Sequence, residues 1–166
     1  MRLIIFLFLI TQCALPSLAV SQTAKRHHNR GLGISYNQVM RYLGDHFDME
    51  KSSQVDGRDR WMGQSDNKLC LLEIIGQPKN TYEATLIVGT PNDVSMNDKA
   101  MAAGMMVRFM KNISPGWEDA TECMNDAAIE VIDGGSGTKR ARVHAGRKYI
   151  ISNVAPLGIC ISVKPA

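Results

Sequence analysis

Acidic residues stop at Asp133: the stretch from Gly134 to Ala166 holds Lys139, Arg140, Arg142, Arg147, Lys148 and Lys164 and no carboxylate side chain. That absence excludes a C-terminal part neutralised by its own ion pairs. Its cations must pair with acids upstream or face outward. Long apolar runs are missing as well. Beyond the start of the chain, glycine and charged residues interrupt every apolar stretch well short of the roughly 20 residues needed to span a bilayer as a helix. Cysteine is scarce and widely spaced, which excludes a zinc knuckle or a Cys-x-x-Cys redox pair. No phosphate-binding glycine loop, zinc-protease helix, nucleophile elbow or calcium loop is written in the chain. The sequence therefore nominates no catalytic residue, metal site or cofactor.

The start is informative. Met1-Arg2 supplies a positive end, Leu3 to Ile10 is unbroken apolar sequence, and Ser17 and Ala19 stand at the −3 and −1 positions of a cleavage site. Residues 1–19 read as a cleavable secretory signal, which places the mature chain in a secreted or periplasmic setting. Removing them deletes one cation, Arg2, and lowers the formal net charge from +3 to +2. So modest a charge argues against a dedicated nucleic-acid binder. Cys13 leaves with the signal, so Cys70, Cys123 and Cys160 remain. An odd number permits one disulfide with a free thiol, an intermolecular bridge, or three buried thiols. A Cys70–Cys123 bridge is the pairing expected.

Residues 20–33, with the basic arm Lys25 to Arg30, read as a flexible leader. A single α+β domain is expected over residues 34–166, with 34–90 and 95–166 as possible sub-units. Ser35 and Gln38 form a capping box, Ile34 and Val39 a hydrophobic staple, and the helix they open should run to about Asp48. This opening (Gly33-Ile34-Ser35, Gln38-Val39, Leu43-Gly44) resembles that of small bacterial envelope lipoproteins involved in outer-membrane protein assembly. The resemblance covers only these residues, has no counterpart in the second half and lacks the lipid-attachment sequence, so the family is not assigned.

Three strands are expected at Arg58–Gln64, Lys68–Ile75 and Thr81–Gly89, with Cys70, Leu72 and Ile74 inward. Ser95 with Asp98 should cap a methionine-rich helix from Met96 to Lys111, apolar nearly all round and so buried on most sides. A second helix should start at Pro115 and carry an acidic stripe of Glu118, Glu122, Asp126 and Glu130. Strand structure is expected to resume near Ile129 and to form a second meander from Lys139 to Val163. Asn112-Ile113-Ser114 fits a glycosylation acceptor. The fold class implied is α+β, an antiparallel meander sheet with helices on one face.

One surface stands out. A two-residue turn at Ala145-Gly146 would set Arg140, Arg142, His144 and Arg147 on one face around Tyr149. That strip suits an anionic protein or envelope polymer, and the leading expectation is an exported, non-enzymatic binding module. Two others remain open: a small-molecule carrier with a pocket between the methionine-rich helix and the sheet, and a hydrolase using His46 or His144. N-terminal sequencing of the exported protein should begin at Val20; a chain that still begins at Met1 would overturn the signal assignment.

Overall fold

The computed structural model describes residues 31–89 and 95–166. The signal at 1–19, the basic arm at Lys25–Arg30 and the expected leader up to residue 30 lie outside the described residues. What is described is an α+β fold: one seven-stranded antiparallel sheet with the helices packed on one face.

Order begins before Ile34. Leu32 is buried and its N–H donates to the Thr81 carbonyl, so the end of the expected leader is part of the core. Ser35 caps helix α1, Tyr36–Met40, by accepting from the Gln38 N–H. Ile34 and Val39 are both buried, as a staple requires. The helix is far shorter than its apolar spacing suggested. Leu43 N–H bonds back to Met40 and His46 N–H to Leu43, tightening the chain into a 3-10 turn at Gly44–His46. Phe47 then opens β1, Phe47–Val55, which among the described residues is an edge strand paired with β2, Arg58–Ser65, alone. This strand was not expected. Its run Asp48-Met49-Glu50-Lys51-Ser52-Ser53-Gln54 is mostly solvated and lacks the alternation that marks a half-buried strand.

Asp56 and Gly57 both take positive φ, 50° and 72°, which gives the β1–β2 hairpin its two-residue turn. β3, Cys70–Gln77, and β4, Asn80–Val88, complete the first meander. Cys70, Leu72 and Ile74 are buried on the inner face as expected, opposite Val88, Leu86 and Ala84.

Helix α2, Met96–Ile113, starts at the expected cap: Ser95 Oγ accepts from Asp98 N–H at 3.1 Å. Only one of its faces is buried, with Ala102, Met105, Phe109 and Met110 pointing inward. Met101 and Val107 stand at the surface, 43% and 36% exposed, so the helix is not enclosed on most sides. Asn112 is buried and its amide donates to the Val39 carbonyl at 2.7 Å, tying α1 to α2. A glycan cannot be attached to that side chain in the folded protein.

The next helix begins later than its proline suggested. Ser114-Pro115-Gly116-Trp117 is a turn, closed by Trp117 N–H to the Ser114 carbonyl at 3.1 Å, with Gly116 at φ 80°. Proline followed by a positive-φ glycine is the signature of a type II turn. Helix α3 therefore spans Ala120–Asp133 and stays helical through Ile129, where strand had been expected. It buries Met124, Ala127, Ala128 and Val131 and leaves Glu122, Asp126 and Glu130 in solvent, while Glu118, expected on the same stripe, is exposed in the turn before the helix.

The second meander is β5, Lys139–His144, β6, Arg147–Val154, and β7, Gly158–Pro165. Pairing of β7 with β4 joins the two meanders, giving the order β1-β2-β3-β4-β7-β6-β5. The core is one layer between this sheet and the helices: Leu72, Ile74, Leu86, Tyr149, Ile151, Ile161 and Val163 below, Met105, Phe109, Met110, Met124 and Val131 above. The two faces of α2 separate under mutation. Met105→Asp places an unpaired charge in the core and should cost several kcal/mol, whereas Val107→Asp should change stability by about 0.5 kcal/mol or less. Urea unfolding of both variants checks this, and equal losses would overturn the one-sided burial.

Candidate cationic surface of the C-terminal hairpin

The β5–β6 hairpin has the expected register. Ala145 and Gly146 take φ 48° and 74°, and His144 faces Arg147, Arg142 faces Tyr149 and Arg140 faces Ile151. These side chains share the face on which the helices pack, because Tyr149 and Ile151 are both fully buried there. The expected strip consequently divides into an internal part and an external part.

Tyr149 and Arg147 belong to the internal part. Tyr149 is inaccessible, and its hydroxyl points toward the Ile113 carbonyl at 3.5 Å, the limit of a hydrogen bond. Arg147 Nε donates to the Leu32 carbonyl at 2.9 Å and one terminal nitrogen to the Ile113 carbonyl at 2.7 Å. One guanidinium thus ties β6 to the segment before α1 and to the last turn of α2. The C-terminal carbonyls of a helix have no partner within the helix, and their partial negative charge favours a cation there.

The external part is Arg140, Arg142 and His144, joined by the half-buried Trp117. The indole stacks on the His144 ring at 4.6 Å between centroids and 13° between planes, and meets Tyr149 edge-on at 5.0 Å. Trp117 reaches this place because the Pro115-Gly116 turn directs it back over the hairpin. The Pro-Gly dipeptide was the legible signal for that turn. Arg140 Nε lies 2.7 Å from Glu130 Oε2, so α3 neutralises one arginine of the strip. Arg142 donates to the Ala141 carbonyl at 3.2 Å and makes no ion pair among the described residues. Lys139 and Lys148 lie on the opposite face of the same hairpin, and Lys148 is directly across from Lys164. β5 is also the end of the sheet, so among the described residues the outer side of its backbone has no neighbouring strand.

The other expected sites are placed differently. His46 accepts a hydrogen bond at Nε2 from Arg108, which occupies the lone pair that a general base would use there. The space between α2, α3 and Ile161, lined by Met106, Val107, Met110 and Met124, measures about 110 Å³. Small-molecule pockets run to roughly 300–1,000 Å³.

All three described cysteines are free thiols, so the expected Cys70–Cys123 bridge is not formed. The topology explains why. Cys70 lies in β3, whereas the α3 helix that carries Cys123 packs on β6 and β5, and β4 and β7 intervene. Strands lie about 4.8 Å apart, and a bridge requires Cα atoms within about 7 Å. Among the described residues no group of three His, Cys, Asp or Glu side chains is arranged to hold a metal ion, and no helix is long and apolar enough to cross a membrane. In comparisons with known proteins, no family model, curated protein or solved structure matches the chain.

Burial pushes the Cys70 thiol up to about 11. The folded state keeps this proton after the unfolded chain, near 8.5, has lost it. Stability held below pH 8.5 should therefore fall as pH rises toward 11, by about 3 kcal/mol in all. Chemical denaturation of wild type and Cys70→Ala across that window checks it: the wild-type curve should drop more steeply. Parallel curves would show that Cys70 titrates as an ordinary thiol.

Proposed function

We propose that this protein is an exported binding module that recognises an acidic polypeptide surface through the cationic edge of its sheet. The observation that carries this reading is the make-up of that edge. β5 presents Lys139, Arg140 and Arg142 on a strand with one side of its backbone unpaired among the described residues, next to a Trp117–His144 plate. Of these cations only Arg140 has an acidic partner among the described residues.

Two physical features favour a polypeptide over an envelope polymer. A sheet edge offers backbone N–H and C=O groups that an extended peptide can satisfy by adding a strand, and a polysaccharide cannot pair with them in that way. Lysine and arginine on an edge strand also discourage self-pairing of like edges, so an acidic partner is selected over a second copy. Exposed charge acts mainly on encounter rate and selectivity, while the half-buried Trp117 supplies the kind of aromatic anchor on which interface energy concentrates.

The test separates the two parts of the strip. Arg140→Ser with Arg142→Ser should weaken binding to poly-glutamate and flatten its salt dependence, with the melting temperature nearly unchanged. Arg147→Ser should instead lower stability, by about 1–3 kcal/mol, because it strips partners from the Leu32 and Ile113 carbonyls. Wild-type binding by the double variant, measured by titration calorimetry at low and moderate salt, would remove the basis for this reading.

A further inference from the structure

A second cationic site is built by other elements. Arg41 follows α1, Tyr42 comes next, Asp45 and His46 lie in the 3-10 turn, and Arg108 and Lys111 are on the last two turns of α2. Together these six line an open cleft of about 570 Å³. Its charged side chains are three cations, Arg41, Arg108 and Lys111, against the single carboxylate of Asp45. None of the four takes part in an ion pair among the described residues.

The walls of the cleft are fixed by the core. Val39, Leu43, Phe109 and Met110 are buried, and the Asn112–Val39 hydrogen bond locks α1 against α2. Arg108 is further held by His46, whose Nε2 accepts one of its N–H groups. The remaining N–H groups of that guanidinium keep their donor capacity. Arg41 lies over the ring of Tyr42, 5.4 Å from its centroid, and Tyr42 is 53% exposed. The negative end of α2 eases the presence of Lys111, but it does not offset the convergence of Arg41 and Arg108 on the same cleft.

We propose that this cleft binds a phosphomonoester, with the phosphate among Arg41, Arg108 and Lys111 and its organic substituent against Tyr42. A phosphomonoester carries nearly two negative charges at neutral pH, which matches the formal excess of two cations. Its oxygens suit guanidinium donors. The cleft also leaves room beyond the phosphate for an organic group, which an inorganic anion would not fill. The site shares no residue with the hairpin edge, so the two readings stand or fall separately.

The same headgroup chemistry occurs free in solution and on lipids, and two probes distinguish the sources. Phenyl phosphate is titrated calorimetrically into the protein, and vesicles of phosphatidylcholine with phosphatidic acid are tested by co-sedimentation. Saturable binding is expected in at least one arm: a response to phenyl phosphate alone assigns a soluble ligand, and a response to vesicles alone assigns a lipid headgroup. Arg108→Gln with Lys111→Gln should weaken binding about tenfold or more while circular dichroism and melting temperature stay as in wild type. Benzoate, with one charge, should bind at least several-fold more weakly than phenyl phosphate. Absence of saturable binding in both arms, unchanged affinity in a folded double variant, or equal affinity for benzoate would overturn the assignment.

Discussion

The pairing of β4 with β7 is the constraint on which the rest of the structure depends. Ala84 lies opposite Val163, Leu86 opposite Ile161 and Val88 opposite Ile159, and all six are buried. Without that ladder the chain would be two meanders, each with an apolar face too small to exclude water. With it, the inner rows of β3, β4, β7 and β6 form one continuous apolar surface. α2 and α3 must then lie on the same side, because the hydrophobic face of a sheet is stable only when another element covers it.

The placement of the cationic groups follows from the same geometry. A strand of alternating residues sends every second side chain to each face, so Arg140, Arg142, His144 and Arg147 are carried to the inner face with Tyr149 and Ile151. The distance of each from the covering helices decides its fate. Arg147, at the start of β6, reaches the end of α2 and binds two carbonyls; Arg140 reaches the rim of α3 and its Glu130; Arg142 and His144 remain at the border with solvent. One sequence pattern thus yields a structural clamp, a rim ion pair and an open surface.

Polar contacts at the helix ends add to the apolar layer. Asn112 holds α1 by the Val39 carbonyl, and Arg147 holds Leu32 and Ile113. Both interactions join segments far apart in the chain, and the Val39 and Ile113 carbonyls they satisfy lie at helix C-termini, where the helix itself provides no donor. They also fix the positions of α1 and α2 that form the walls of the cationic cleft.

What the sequence determined by itself was local and periodic. The caps at Ser35 and Ser95, the inward row of Cys70, Leu72 and Ile74, and the hairpin turn at Ala145-Gly146 were legible because each depends on neighbours a few residues away. Tertiary structure decided the rest. β1 exists because β2 offers it a partner, although its own polar sequence has no strand period. α1 stops early because Leu43 and Phe47 are buried through a turn rather than along a helix face. Trp117 lies against the hairpin because the chain reverses at Pro115-Gly116. Cys70 and Cys123 stay apart because β4 and β7 lie between them. Whether an arginine in an alternating strand faces water, a carboxylate or a helix end depends on what the other side of the chain brings to it, and no local pattern encodes that.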